Sequence, residues 1–225
     1  MKCDKNPQKI QKMFDEISSY YDKMNNLISF GTHYIIKYLA IKKLYILPRT
    51  MILDLCCGTG DFTKIISKTF PRTKIIGLDF SKEMLKLAKI KNPTGVFMQG
   101  DCTDLPFTDE EFDYITMGFG LRNISNRSKA ISEAYRVLNN GGKFLHLDFG
   151  EHNKISKIFD FIVPAIAKLF KKNSNHYKYL LASKTTFPNP KNLIKEFEQA
   201  GFKLEKQYDY LFGTISAQIM IKASN

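Results

Sequence analysis

The residues best placed to do chemistry are two aspartates that flank a glycine turn. An apolar run of strand length, Met51 to Leu53, ends at Asp54 and leads into the turn Gly58-Thr59-Gly60, after which a helical pattern runs from Asp61 to Phe70. A strand that leads through a glycine turn into a helix lets a ligand approach bare backbone at the helix N-terminus. Asp79 closes the next apolar run, about twenty residues beyond the turn, where a carboxylate is placed to bind a ribose.

The strands that follow bring further candidates to the same edge of the predicted sheet. Ser81 caps a helix, and Met84, one turn into it, can cover an adenine ring or simply fill the core. The third strand ends at Asp101 and Cys102, where the carboxylate can accept a hydrogen bond from an adenine amino group. The fourth strand ends in a second glycine-rich loop, Gly118 to Asn123. These positions predict a site for an adenosine-containing ligand.

The N-terminal region reads as two helices that would cover this site. The first begins after Asn6-Pro7, and the second runs from His33 to about Tyr45, where Pro48 is expected to end it. The apolar stripe of the first helix comprises Ile10, Met13, Phe14, Ile17, Tyr20, Tyr21, Met24 and Leu27. We therefore expect residues 1–48 to form a helical cover over the carboxyl edge of the sheet.

The rest of the pattern predicts one α/β domain over residues 1–225. Five strands alternate with helices, the fifth being expected at 143–149 after a turn at 139–142. A last helix begins at Asn189-Pro190, and the segments 202–210 and 214–222 form a terminal β-hairpin. Residues 151–188 are expected to form a helical insertion.

Composition limits the classes of protein to which the chain can belong. Its 225 residues suit a single α/β domain with a full core. The formal net charge of +12 suits an anionic membrane, substrate or nucleic acid, but we find no nucleic-acid-binding motif. The four cysteines lack the spacing of a zinc site, so we expect reduced cytosolic thiols and predict no metal. The first residues lack the apolar core of a signal peptide, which favours the cytoplasm.

Together these motifs are similar to those of the ubiquinone/menaquinone biosynthesis C-methyltransferases, a family of Rossmann-like class I methyltransferases. The resemblance extends over nearly the whole chain, and the Gly-Phe-Gly-Leu-Arg-Asn loop at 118–123 is its most specific part. The other four matching places are 21–29 with His33, the cofactor turn at 53–61, 136–138 with Gly141-Gly142, and 177–180 with Ser183, Phe187 and Pro188.

The resemblance implies a mostly parallel seven-stranded sheet with an antiparallel C-terminal hairpin. It implies S-adenosylmethionine as the cofactor and methylation of a ring carbon of a polyprenylated quinol. Demethylmenaquinol is the expected acceptor, and a benzoquinol intermediate of ubiquinone biosynthesis or a soluble small molecule is the alternative. The implied cofactor contacts are Asp54, Gly58, Thr59, Gly60, Asp79, Met84, Asp101, Cys102 and Gly118.

The resemblance also suggests catalytic candidates. Arg122 is the first, because it can steady a developing phenolate or orient a water, although a structural salt bridge is an equal alternative. Asp54 is expected to hold the glycine turn or to reach the ligand through water. His33, Asp148, His152 and Tyr179 are second-rank candidates.

Two features leave the acceptor and its delivery open. Ile36 stands where the family usually has an aromatic residue, and Asp148-Phe149-Gly150 stands where it has Glu-Phe-Ser. Residues 154–172 read as a basic amphipathic helix, which would either lie on an anionic membrane surface or pack on the domain with its lysines in solvent.

Overall fold

The chain folds into alternating helices and strands. The structure is a computed structural model that describes residues 4–151, 153, 156–158 and 174–224, with only the backbone described at 174–178 and 180. In chain order the elements are α1 (Pro7–Ser29), α2 (Thr32–Lys42), β1 (Met51–Leu55), α3 (Asp61–Thr69), β2 (Lys74–Asp79), α4 (Lys82–Lys91), β3 (Val96–Gln99), β4 (Phe112–Gly118), a 3-10 turn (Leu121–Asn123), α5 (Arg127–Val137), β5 (Leu138–Phe149), α6 (Ser174–Thr185), α7 (Pro190–Gln199), β6 (Phe202–Tyr210) and β7 (Ile215–Lys222).

The strands form one seven-stranded sheet in the order β3-β2-β1-β4-β5-β7-β6. The pairs from β3 to β5 are parallel, and β7 lies antiparallel between β5 and β6. The chain crosses from one half of the sheet to the other after β3, so the carboxyl ends of β1 and β4 form a topological switch point, where open α/β sheets bind their ligands. The fold class expected from the resemblance is confirmed.

Apolar side chains on both faces of the sheet bury it between helices. On one face the rings of Phe144, Phe197 and Phe202 meet edge to face, with centroids 5.3–5.9 Å apart. On the other face Ile41 of α2 and Ile66 of α3 are fully buried. Because both faces are covered, β1 and β4 are apolar almost throughout, and the few polar side chains in them have specific partners.

Side-chain caps start the helices where the sequence indicates. The side-chain oxygen of Asn6 accepts from the backbone N–H groups of Gln8 and Lys9, and Ser81 Oγ accepts from Met84 N. Asn126 and Asn189 cap α5 and α7 in the same manner. Each cap satisfies N–H groups that the first helical turn leaves without an intrahelical partner.

Three local expectations from the sequence were wrong. Ile28 rather than Leu27 is the last buried residue in the stripe of α1, after Ile17, Tyr20 and Met24. The second helix ends at Lys42, so Pro48 does not terminate it. Residues 139–142 belong to β5, because Leu138 already pairs with Phe112 of β4.

Two expectations fall outside the described residues, namely those on His152 and on nearly all of the segment 154–172. In the described part of the chain, no helix has the length and apolar character needed to cross a bilayer.

Candidate active site

A cavity of about 360 Å³ opens at the carboxyl edge of β1, β2 and β4. Six of the predicted cofactor residues line it, namely Gly58, Asp79, Met84, Asp101, Cys102 and Gly118. Ile10, Phe14 and Tyr21 of α1 line it as well, so the first helix forms part of its wall. Ligand sites of this kind span roughly 300–1,000 Å³. The cavity is therefore large enough for a nucleoside-sized ligand.

Asp79 is fixed against the glycine turn by backbone hydrogen bonds. Its Oδ2 accepts from Gly58 N at 2.8 Å and its Oδ1 accepts from Ser81 N at 2.9 Å. Burial raises the pKa of Asp79, while the N–H donors of Ser81 and Gly58 oppose the rise. Each carboxylate oxygen can accept more than one hydrogen bond, so the group retains capacity toward the cavity.

The turn itself requires glycine at two positions. Gly58 and Gly60 have φ angles of +55° and +79°, a region that other residues rarely adopt. A Cβ on Gly60 would also lie 3.0 Å from Ala88 Cβ of α4, whereas a Cβ on Gly58 would meet no atom within 4 Å. Gly60 thus allows close helix packing, and Gly58 leaves open space beside the backbone.

Asp54 lies beneath the turn and does not line the cavity. Its Oδ2 accepts from the backbone N and the Oγ1 of Thr63, at 3.2 and 2.9 Å, and its Oδ1 accepts from Thr116 Oγ1 at 2.8 Å. Burial raises its pKa to about 7, against the effect of these hydrogen bonds. Asp54 therefore joins β1, β4 and the start of α3, which corresponds to the turn-holding role among those expected.

A buried ion cluster surrounds the other side of the turn. Asp61 accepts from Lys37 of α2 at 2.7 Å and from Lys91 of α4 at 2.6 Å, and Lys91 also lies 2.8 Å from Asp22 of α1. Thr59 Oγ1 donates to Asp22 Oδ1 at 2.7 Å and accepts from Lys91 Nζ at 2.8 Å. Burial favours a raised pKa for Asp61, but the two lysines prevail and lower it to about 2. The cluster joins three helices to the turn.

Sequence reasoning missed this cluster. Lys37, Asp61 and Lys91 come from separate helices, and nothing in the local pattern indicates that they meet. The available signal was Asp22, a charged residue directly after Tyr21 of the apolar helical stripe.

His33 lies at the edge of the cluster as a neutral side chain. Its Nδ1 is 2.7 Å from Ser29 Oγ, and its Nε2 is 4.0 Å from Asp61 Oδ2. Nε2 has no hydrogen-bond partner among the described residues. Burial is the main cause that lowers the pKa of His33 to about 4, and the charge of Lys37 adds to it. At neutral pH the imidazole is therefore uncharged and a weak base.

Arg122 and Asp148 form a buried pair behind the loop that follows β4. Arg122 Nη1 donates to the carbonyl oxygen of Phe119 and, at 3.0 Å, to Asp148 Oδ1. Neither side chain lines the cavity, but Phe119 and Asn123 of the same loop do. Arg122 Nε and Asp148 Oδ2 have no hydrogen-bond partner within the part of the chain that the structure describes. The pair thus holds the loop from behind.

His146 extends this pair, and sequence reasoning missed it. Its Nε2 lies 4.0 Å from Asp148 Oδ2, and its Nδ1 is 2.8 Å from Gln218 Oε1. Burial lowers the pKa of His146. A signal for this contact was present in the sequence. His146 and Asp148 are two residues apart on one strand and therefore share a face, and two polar side chains in this arrangement are unusual in a buried strand.

The predicted adenine contacts and Tyr179 lie close to the cavity. Asp101 lines the cavity, and its Oδ1 also accepts from the backbone N and the Oγ1 of Thr103, both at 2.8 Å. Cys102 Sγ lies 4.0 Å from Cys56 Sγ, and both are free thiols. The hydroxyl of Tyr179 donates to Asn123 Oδ1 at 3.2 Å, which connects α6 to the loop. No group of three metal-ligating side chains occurs in the described ranges.

The chain has extensive similarity to known methyltransferases. The model of the ubiE/COQ5 methyltransferase family matches residues 2–222. The demethylmenaquinone methyltransferase of Staphylococcus carnosus is 41% identical over 206 residues, which cover 87% of this chain and 86% of that protein. The Staphylococcus aureus protein of the same name is 37% identical over 207 residues, covering 88% of this chain and 86% of that protein.

Solved structures share the fold at lower identity. An S-adenosylmethionine-dependent methyltransferase of Thermotoga maritima, described as a possible histamine N-methyltransferase, has a TM-score of 0.72 at 19% identity, covering 95% of this chain and 99% of that chain. A putative S-adenosylmethionine-dependent methyltransferase of Methanococcus maripaludis has a TM-score of 0.67 at 21% identity, covering 94% of both chains. These identities support the fold alone.

Proposed function

This chain belongs to the ubiE/COQ5 methyltransferase family, and we propose that it methylates a ring carbon of a polyprenylated quinol, with demethylmenaquinol as the acceptor. It is an S-adenosylmethionine-dependent methyltransferase. The observation that carries the choice of acceptor is the identity of 37–41%, over most of both chains, to relatives named demethylmenaquinone methyltransferases.

The cavity fits S-adenosylmethionine in size and in chemistry. Bound there, the cofactor supplies an electrophilic methyl group on a sulfonium. Asp79 would accept from the ribose hydroxyls, and Asp101 with the Cys102 backbone would bind the adenine, which Met84 would cover. The open space beside Gly58 would let the ligand approach the backbone there. Thr59 and Gly60 face the ion cluster and α4, so we assign them to shaping the turn.

The protein has to activate and align the acceptor. A quinol carbon becomes nucleophilic when the neighbouring hydroxyl loses its proton, which a positioned group assists. We assign the electrostatic part of this task to the charge of Arg122, which acts from behind the loop that lines the cavity and is oriented by Asp148. His33 is too weak a base for the task at neutral pH, so we assign it to positioning, and Tyr179 to holding Asn123. The α1 residues at the wall would exclude water from the reacting atoms.

We also place the enzyme in the cytoplasm, at the surface of an anionic membrane. The polyprenyl tail of the acceptor resides in the bilayer, and the net charge of +12 favours anionic lipid. In this arrangement residues 1–48 cover the site, and the expected placement of the insertion 151–188 on the substrate side stays a prediction. The basic amphipathic pattern at 154–172 stays a prediction, since it lies outside the described residues.

Methyl transfer to defined acceptors tests the function. The protein is incubated with S-adenosylmethionine labelled in the methyl group and with reduced demethylmenaquinol, a reduced demethylated benzoquinol or a soluble phenol. We expect label in the naphthoquinol, its loss in Asp79→Ala, and retention in Asp104→Ala, a matched change at an exposed aspartate. Transfer only to the benzoquinol or only to the phenol would replace the proposed acceptor, and cofactor binding without transfer to any acceptor would refute the catalytic assignment.

A further inference from the structure

One face of α2 is apolar and open to solvent. Ile35, Tyr38 and Leu39 are 59%, 40% and 41% exposed, and their spacing places them on one side of the helix. The opposite side, which includes Ile36 and Ile41, is buried in the core. A surface helix normally carries one apolar stripe toward the core and polar residues on its other face. The second apolar face of α2 therefore calls for an explanation.

The exposed apolar character continues at both ends of the helix. Phe30, which ends α1, is 79% exposed, and Tyr45 and Leu47 after α2 are 72% and 63% exposed. Phe30 and Tyr45 each have a φ of +49°, a conformation that bulky residues seldom adopt. We define Phe30, Ile35, Tyr38, Leu39, Tyr45 and Leu47 as the α2 surface. An exposed apolar surface of this kind marks an interaction site more often than scattered single residues do.

The chain segment that carries the α2 surface has charge of a single sign. From residue 23 to residue 53 the chain carries Lys23, Lys37, Lys42, Lys43 and Arg49 and no aspartate or glutamate. Lys37 is committed to the buried ion cluster, whereas Lys42 lies with its Nζ 5.7 Å from the centre of the Tyr38 ring. Aliphatic, tyrosine and lysine side chains together are the composition of helices that lie in the headgroup layer of a membrane.

We propose that the α2 surface docks on the headgroup layer of an anionic bilayer. The argument rests on charge complementarity, because anionic lipid attracts juxtamembrane lysines while the apolar side chains enter the interface. A second copy of this chain is disfavoured, because a two-fold dimer through this surface would bring Lys42 and Lys43 of both copies together. The proposal deepens the proposed function and rests on it for the biological reason, since the acceptor's tail lies in the bilayer.

Docking at this surface would place the glycine turn beside the membrane. The buried side of α2 carries His33 and Lys37, which reach Asp61 directly after the glycine turn. One helix thus has the turn on its inner side and the proposed lipid contact on its outer side. The path for delivery is short in this geometry, because only the thickness of α2 separates the bilayer from the turn.

Vesicle co-sedimentation tests the α2 surface. The full chain is mixed with vesicles of phosphatidylcholine alone or with added phosphatidylglycerol, at low and high salt. The variants are Ile35→Glu with Leu39→Glu, Phe30→Asn, and the control Ile90→Glu, which changes a 76% exposed isoleucine on α4. Asparagine tolerates the positive φ of residue 30, so Phe30→Asn keeps the fold if the double variant does not. Circular dichroism checks folding.

We expect wild type and Ile90→Glu to bind phosphatidylglycerol vesicles in a salt-sensitive way. The double variant should bind at least about tenfold more weakly, and Phe30→Asn should weaken binding as well. Equal binding by all folded proteins, or no binding by wild type, overturns the proposal. A wild-type dimer in sedimentation velocity that the double variant converts to a monomer overturns it in favour of a second copy.

A separate assay distinguishes this surface from the proposed function. Methyl transfer to a short-tailed, water-soluble demethylnaphthoquinol without vesicles should be unchanged in the α2 variants, since their side chains do not line the cavity. Absence of transfer by wild type in this assay would refute the proposed function while leaving the vesicle result to stand on its own.

Discussion

The Asp79 carboxylate accepts a hydrogen bond from the backbone N–H of Gly58, with 2.8 Å between Oδ2 and N. This bond joins the end of β2 to the glycine turn after β1. Both residues line the cavity, so the bond fixes this part of the cavity wall without a ligand. A second bond, from Ser81 N to Oδ1, ties the same carboxylate to the start of α4. Asp79 therefore sets the turn, and we propose that the same carboxylate also accepts hydrogen bonds from the ligand.

Replacement of Asp79 by alanine is expected to weaken S-adenosylmethionine binding at least about tenfold. Charge-assisted hydrogen bonds contribute roughly 1.5–3 kcal/mol each, and the variant loses those to the ligand together with the support of the turn. Isothermal titration calorimetry measures the affinity, with Asp104→Ala as the control at an exposed site. A folded Asp79→Ala protein with wild-type affinity would rule out the ribose contact.

The parts of the fold that were predictable have local signals. Ser81, Asn126 and Asn189 cap helices because a side-chain oxygen satisfies N–H groups only a few residues away, and the sequence records that spacing directly. The glycine turn is local for the same reason. The mostly parallel seven-stranded sheet with its antiparallel hairpin came instead from the resemblance to a family.

The parts that were missed depend on residues distant in the sequence. Lys37, Asp61 and Lys91 pair only after three helices have packed, so no window of the sequence contains their relationship. The length of β5 was missed because pairing of Leu138 with Phe112 overrides the turn preference of the residues that follow. Tertiary contacts decided both outcomes.

Replacement of Asp148 by asparagine is expected to destabilise the protein by about 3–5 kcal/mol, because it leaves Arg122 buried without its counter-charge. Urea unfolding measures the change in the free energy of unfolding. The control is Asp209→Asn, at an exposed aspartate that bonds Gln207, for which we expect a change within about 0.5 kcal/mol.

Turnover adds a second readout to this pair. If Arg122 acts on the acceptor, Arg122→Lys should lower turnover while S-adenosylmethionine affinity stays near that of wild type. Wild-type turnover in a folded Arg122→Lys protein would assign the pair to loop stability alone.

Replacement of Asp61 by asparagine is expected to cost about 3–5 kcal/mol at pH 7, because Lys37 and Lys91 lose a shared buried counter-charge. The difference from wild type should shrink in acid. The folded pKa of Asp61 is about 2, below the value of 3.8 for a free side chain, so its stabilising charge is present above pH 3.8 and is lost as the pH falls toward 2.

The exposed pair Glu83–Lys86 provides the control for Asp61. Glu83→Gln should change the free energy of unfolding by less than about 1 kcal/mol, since solvent screens such pairs. Equal effects of the two substitutions in urea unfolding at pH 7 would show that the buried cluster contributes no more than a surface pair.

Replacement of His33 by glutamine is expected to make the protein less sensitive to acid between pH 6.5 and pH 4. Burial and Lys37 hold the pKa of His33 in the folded chain at about 4, whereas the unperturbed value is 6.5, so the unfolded chain takes up the proton first. Stability therefore rises with pH across this window and falls as the pH drops from 6.5 toward 4. A difference of one in pKa corresponds to about 1.4 kcal/mol, which makes the total loss at this site a few kcal/mol.

The groups that face the imidazole are Lys37, Asp61, Asp22 and Lys91, and all are retained in the variant. His146 also has a lowered pKa, but it is present in both proteins and cancels in the comparison. Urea unfolding at pH 7, 6, 5 and 4.5 gives the free energy of unfolding of each protein, and parallel curves for wild type and His33→Gln would contradict the assignment of a buried, neutral histidine.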